Sequence, residues 1–151
     1  MSTIDFAIRA APLSSDLLSR LSGLCQAVFG EVDIDDLAWR LSHLPEATVA
    51  MATTDGGTMV GFKIGYAQTR QRYYSWLGGV HPDFRRRGIA AGLMEQQHRW
   101  AAAAGFTEVE TGTTPDNAAM LQLNQRFGFE MIGSYARKGR PRVLLAKQLA
   151  G

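Results

Sequence analysis

The sequence predicts a mixed α/β fold: a mostly antiparallel sheet of about seven strands with a parallel central pair, and about four helices. Three observations carry this. Apolar residues switch along the chain between a strand-like period of two and a helix-like period of about 3.6, in the order β-α-α-β-β-β-α-β-α-β-β. Asp55-Gly56-Gly57 joins two strand-like runs as a hairpin turn, so three strands in mid-chain form an antiparallel meander. A helix-length segment separates the strand at 73–80 from the strand Glu108–Thr113, and a crossover of that length returns the chain parallel to where it left.

Each element has a local cause. Ile4 to Ala10 sets Ile4, Phe6 and Ile8 against polar or small residues, the alternation of a first strand. Pro12, Ser14 and Ser15 break it. From near Asp16 the residues Leu17, Leu18, Leu21, Leu24, Cys25 and Val28 recur at helical spacing until Gly30 stops the helix. Residues 31–36 read as a short acidic loop, and Leu37, Ala38, Leu41 and Leu44 as a second helix ended by Pro45. Strands at 47–53 and 58–69 flank the hairpin turn, and a turn near Arg70-Gln71 leads into the strand at 73–80. The most regular helical pattern covers 89–104, with Leu93, Met94 and Trp100, and closes at Gly105. After Glu108–Thr113, Thr114-Pro115-Asp116-Asn117 opens a helix with Asp116 as its N-cap, which runs to about Phe127 before Gly128. Strands at 129–136 and 142–148 finish the chain around the basic turn Arg137-Lys138-Gly139-Arg140-Pro141.

A chain of 151 residues with no long linker, repeat or low-complexity stretch reads as a single domain, 1–151. No apolar run reaches the roughly 20 residues of a membrane helix, and Met1-Ser2-Thr3-Ile4-Asp5 lacks the basic and apolar regions of a signal peptide, so the expectation is a cytoplasmic protein without a membrane partner. The lone Cys25 permits no internal disulfide, and its neighbours Leu21, Leu24, Val28 and Phe29 make it a core filler. His43, His81 and His98 have no metal-ligand spacing, so no metal site is expected. His81 belongs at the surface. The net charge of +2 is too small to argue for nucleic acid, but its distribution is uneven. Residues 1–60 carry three arginines against eight carboxylates, and residues 61–151 carry thirteen basic against six acidic side chains.

Val80-His81-Pro82-Asp83-Phe84-Arg85-Arg86-Arg87-Gly88-Ile89-Ala90-Ala91 organises the rest. It reads as a strand end, a basic turn with a glycine, and the start of a helix. The first amides of a helix have no partner within it, and its dipole is positive at that end, so such a turn beside three arginines suits a pyrophosphate. The Lys-[Ser/Thr] of a nucleotide-triphosphate loop and the G-x-G-x-x-G of a dinucleotide fold are both absent. The spacing Arg85-x-x-Gly88-x-Ala90, behind Val80-x-Pro82, resembles the acyl-CoA-binding motif of the GCN5-related N-acetyltransferases (GNAT family). A second segment, Asn117-Ala118-Ala119-Met120-Leu121-Gln122-Leu123-Asn124-Gln125-Arg126-Phe127-Gly128-Phe129, resembles that family's Asn-x-x-Ala-x-x-Leu-Tyr-x-x-x-Gly-Phe. The element order is also that of the GNAT fold, so the resemblance spans nearly the whole chain.

The resemblance implies an N-acetyltransferase that uses acetyl-CoA and acts on a primary amine by direct attack on the thioester. The backbone of Gly79 and Val80, the arginines Arg85, Arg86 and Arg87, and the amides through Gly88, Ile89, Ala90 and Ala91 would hold the cofactor. Val80 would pair with the pantetheine arm and give its N–H to the oxyanion. Gly78-Gly79 leaves room for a ligand and for a splay between the parallel strands. Asn117 would contact the pantetheine, cap its own helix, or do both. Two positions depart from the pattern. Met120 stands where many members have alanine, and Asn124 where many have the tyrosine that protonates the leaving thiolate. Asn124 could still contact the cofactor, while water, the product ammonium or Tyr135 could supply the proton.

An alkyl amine with a pKa of about 10.4 costs some 4 kcal/mol to deprotonate at pH 7, so a base or water chain is expected. The strand 73–80 contains no carboxylate, which leaves Glu110 and Glu31 as candidates. By the resemblance, Glu31, Asp33, Asp35 and Asp36 border the acceptor site and point to a cationic small molecule or peptide, and a homodimer is compatible with the family. A non-catalytic acyl-CoA-binding or regulatory domain is the alternative that the missing tyrosine and strand glutamate motivate. A nucleic-acid module built on Arg85–Arg87 and Arg137–Arg142 has no recognised motif behind it.

Overall fold

The computed structural model describes residues 3–149. β1 (Ile4–Ala10), β2 (Thr48–Thr54), β3 (Met59–Ala67), β4 (Arg72–Val80), β5 (Glu108–Thr113), β6 (Glu130–Arg137) and β7 (Arg140–Gln148) form one seven-stranded sheet, ordered β1-β2-β3-β4-β5-β7-β6. Every neighbouring pair is antiparallel except β4 with β5. That parallel pair follows from the crossover through α3 (Ile89–Ala103), as the spacing predicts.

The two faces of the sheet have separate cores. On one face, α1 (Ser15–Phe29) and α2 (Ile34–His43) bury Leu21, Leu24, Leu37 and Leu41 against Val49, Met51, Phe62 and Ile64. On the other, α3 and α4 (Ala118–Arg126) cover Ala50, Val60, Tyr73, Val109, Val143 and Leu145. Residues 62 and 64 face one core and 61 the other because successive side chains in a strand alternate. Burying each large apolar side chain contributes about 1.5–3 kcal/mol, so both helical layers are held by the sheet between them. Cys25 is fully buried in the first core, the filler role its neighbours imply, and burial pushes its thiol up to about 11.

Local chemistry moves several boundaries from their expected places. The acidic segment 31–36 is not all loop. Asp33 accepts a bond from the Asp36 amide as the N-cap of α2, and Asp35 and Asp36 lie in its first turn, where carboxylates suit the dipole. Asp116 does not cap α4; Asn117 does, through a 3.2 Å bond to the Met120 amide. The final hairpin is tighter than the basic five-residue turn expected, because Lys138 and Gly139 both take positive φ and close it in two residues.

A buried polar group lies beneath α3. Lys147 of β7 donates to His98 Nδ1 at 3.2 Å, which leaves the ring neutral with Nε2 buried. Burial, then the cations Lys147 and Lys63, push His98 down to about 3. The unfolded chain therefore binds a proton at His98 below about pH 6.5 that the fold refuses, so stability falls as pH drops from about 6.5 towards 3. His98→Phe, set among Phe127 and Phe129, should flatten that part of the acid limb when urea midpoints are followed against pH. A Cβ at Gly65 would overlap the ring of Tyr73, which is fully buried and hydrogen-bonded to Thr48, so the ring has nowhere to swing. Gly65→Ala should cost about 1–3 kcal/mol, read as a lower urea midpoint with an unchanged slope.

Candidate active site

The site is set by where the parallel pairing stops. β4 and β5 pair only from Arg72↔Glu108 to Ser75↔Thr111. Against β3, β4 then carries an extra residue, because Ser75 pairs with Gly65 and Leu77 with Ile64, leaving Trp76 as a bulge. Beyond it, residues 76–80 have no partner on the β5 side. The His81 amide bonds Val60 O at 2.8 Å, so by the alternation of an antiparallel ladder the backbone polar groups of Gly78 and Val80 point away from β3 and into the gap. The result is a cleft of about 690 Å³ between β4 and β5, floored by β4 and walled by α3 and α4. A Cβ at Gly79 would stand 2.6 Å from Val28 on α1, so this glycine serves the close seating of α1 on the sheet.

At the mouth of the cleft the chain turns through Pro82–Phe84 into α3. Arg86 and Gly88 both have positive φ, 63° and 74°, and Gly88 is the N-cap with no side-chain bond to the first turn. The amides of Ile89, Ala90 and Ala91 therefore open outward with the positive end of the dipole behind them. Gly88 is needed because left-handed backbone disfavours a Cβ, although nothing stands within 4 Å of one there. Arg85 bends back to Val80 O at 3.3 Å, and Arg87 lies over the Phe84 ring. Arg85, Arg86 and Arg87 are all exposed. An unpaired strand edge inside a sheet, running to a basic helix start, fits an elongated ligand with amides along it and phosphates at one end.

Gly79, Val80, Arg85, Ala90 and Asn117 line this one cleft. Asn117 caps α4 through Oδ1, so its Nδ2 is left for the cleft. Arg86, Arg87, Gly88, Ile89 and Ala91 form the turn at its mouth, and Asn124, Glu110 and Glu31 lie elsewhere. Asn124 is buried and donates to Met120 O of its own helix, away from the cleft. Glu110 sits at the closed end of the parallel pair, 3.3 Å from Arg72, with Glu108 on the same arginine. Glu31 is exposed in a shallow surface depression with Gln26, Gly30 and Asp33. Asp36 pairs with Arg40 at 2.9 Å. Tyr135 stands beside the gap: its hydroxyl lies over Gly112 and accepts from Arg142 Nε at 3.1 Å, while Arg142 Nη2 bonds Gly112 O. Burial, and then Tyr135, pushes the neighbouring Tyr74 up to about 12.

Among the described residues, no carboxylate, histidine, tyrosine or cysteine lines the cleft, and no group of three or more His, Cys, Asp and Glu side chains could hold a metal. Its charged side chains are Lys63, Arg85 and Arg142. The motifs do not reveal Lys63. The signal was a lone lysine inside the apolar run Val60-Gly61-Phe62-Lys63-Ile64, where alternation puts it on a covered face. Nor do they reveal Arg142, whose part depends on β7 lying beside β5.

Residues 16–129 match the acetyltransferase (GNAT) family model. The chain belongs to the GNAT acetyltransferase family. It is 28% identical to an acetyltransferase of Sodalis glossinidius (strain morsitans) over 105 residues, 70% of this chain and 72% of that one. Its fold is that of Ard1 from Thermoplasma volcanium, with TM-score 0.81 and 19% identity over 97% of this chain and 99% of that chain. It is likewise that of the ribosomal-protein-S18-alanine N-acetyltransferase from Escherichia coli, with TM-score 0.80 and 18% identity over 97% and 96%. The NatC complex bound to Gag peptide and CoA contains a chain of the same fold, with TM-score 0.75 and 20% identity over 97% and 99%. Acetyl transfer from acetyl-CoA is the chemistry of the GNAT family, and the open edge of β4 with its basic turn suits that cofactor.

Proposed function

We propose that this GNAT protein transfers the acetyl group of acetyl-CoA to a primary amine by direct attack in the β4–β5 cleft. The single observation that carries the reading is that pairing ends at Ser75↔Thr111 and leaves the Gly78 backbone and the Val80 N–H open beside the α3 start. The amides of residues 86–91, with Arg85, Arg86 and Arg87 around them, hold the pyrophosphate. The free edge of β4 takes the pantetheine amides as a strand would, with Asn117 Nδ2 as a further donor. Val80 N–H faces the thioester carbonyl and stabilises the charge that grows on its oxygen. Fixing the reactants in the gap replaces a chance encounter and excludes bulk water.

The acceptor enters from the face opposite α3. There Tyr66, Tyr74 and Tyr135 stand near one another, beside Trp76 with Arg40 over its ring. Neither Glu110 in its pair with Arg72 nor the exposed Glu31 lines the gap, so the acceptor nitrogen loses its proton to water. The four carboxylates that suggested a cationic acceptor do not line it either, while Lys63, Arg85 and Arg142 do. The favoured acceptor is thus an amine with no second cation, because a like charge in the gap is repelled.

Two measurements test this. Calorimetry should show acetyl-CoA binding that weakens with salt and is lost in Gly88→Glu, which sets a carboxylate against the pyrophosphate. Loss of affinity in the variant without loss of fold supports the site, and equal affinity overturns it. Thiol release from acetyl-CoA should then depend on added amine, with monoamines ahead of polyamines by about tenfold or more in kcat/KM, a difference of about 1.4 kcal/mol. A polyamine preference would return the cationic acceptor.

A further inference from the structure

The reaction needs a proton at the sulfur that leaves, and the cleft offers few groups that could supply one. Asn124 carries no titratable proton and is turned onto its own helix. Of the three charged side chains that line the cleft, Arg85 and Arg142 are guanidinium groups that do not deprotonate in proteins. The hydroxyls of Ser75, Thr111, Thr113 and Thr114 are far weaker acids than a thiol. Lys63 remains. It projects from β3 on the α3 face and crosses β4 at Gly78, where its Cγ lies 3.4 Å from the place a Cβ would take. The Ser75 hydroxyl, which lines the same cleft, is buried without a partner.

We propose that Lys63 is the catalytic acid that protonates the coenzyme A thiolate as the acyl group leaves. This rests on the acetyl-CoA reading of the cleft. The acceptor nitrogen pair forms the new C–N bond, the C–S bond breaks, and sulfur takes a proton from Lys63 Nζ. The proton shed by the acceptor nitrogen goes to water, and Lys63 regains one from water. One amide and one free thiol result.

The surroundings suit the role. Lys63 has no carboxylate partner among the described residues. The titratable and charged groups that face it are the neutral His98 of α3, Lys147 of β7 behind that histidine, and Arg85 and Arg142 across the cleft. Burial brings its ammonium down to about 8, close to the ordinary thiol value of about 8.5. An acid so matched is mostly protonated at pH 7 and still gives its proton readily.

The test needs no acceptor. Coenzyme A and desulfo-coenzyme A are titrated calorimetrically into the native protein, Lys63→Met and Lys63→Arg between about pH 6 and 9, a range spanning both groups, and the thiolate absorbance of bound coenzyme A is followed. In the native protein the bound thiol and Lys63 should share a proton and titrate in two coupled steps, while Lys63→Arg, which keeps the charge but cannot give the proton, should show a single thiol step lowered by about 1 unit or more. Lys63→Met should show a single step at the ordinary thiol value, with equal desulfo-coenzyme A affinity as the control for fold and site. A thiol pKa that is the same in native and Lys63→Met overturns the role of Lys63 while leaving the cofactor site intact. Absence of binding by either ligand in the native protein overturns the cofactor reading and this proposal with it.

Discussion

The candidate site depends on one break in a hydrogen-bond ladder. Two parallel strands pair for four residues and then separate, and the bulge at Trp76 gives β4 the bend that lets them do so. Backbone amides left unpaired inside a sheet are costly unless water or a ligand meets them. The free edge, made of the Gly78 backbone and the Val80 N–H, is therefore a standing demand for a partner. Its neighbours are arranged to direct that demand: α1 seats on Gly79 from one side, while α3 and α4 wall the other.

The electrostatics follow the same geometry. The helix start, Arg85, Arg86 and Arg87 make the mouth positive, and Lys63 and Arg142 keep the interior so. No described carboxylate offsets them in the cleft. The carboxylates are used for other tasks: Asp33 caps α2, Asp36 holds Arg40, and Glu108 and Glu110 share Arg72 at the closed end of the parallel pair. That last pairing lies at the closed end of the gap, where β4 and β5 still pair, and where a firm union of the strands is needed most.

Much of this was legible in the chain. The order of elements came from periodicity, and Arg85-x-x-Gly88-x-Ala90 marked the basic turn at the mouth of the cleft because a helix start, its glycine and its arginines are adjacent in sequence. Asn117 was legible for the same reason, though Asp116 appeared the better cap: both side chains can cap, and only the backbone angles at the helix start choose between them. The acidic run 31–36 shows its negative charge in the sequence but not the local partners of Asp33 and Asp36. Arg40, one helical turn beyond Asp36, pairs with that carboxylate, and Asp33 is used as a helix cap by the backbone amide at 36.

The sequence by itself determined the strands, the helices, the parallel pair and the basic turn, since each rests on residues within a few positions or on one crossover length. Only the tertiary structure decided which side chains meet in the gap. Glu110 and Lys63 show the difference. Glu110 lies on a strand beside the cleft, yet alternation puts it next to Arg72 on the opposite face from α3. Lys63 lies fifteen residues before Gly78 and in no motif, yet the antiparallel register of β3 on β4 lays its side chain across that glycine into the cleft. Register and facing are set by pairing between strands distant in sequence, and a shift of one residue would exchange the two faces.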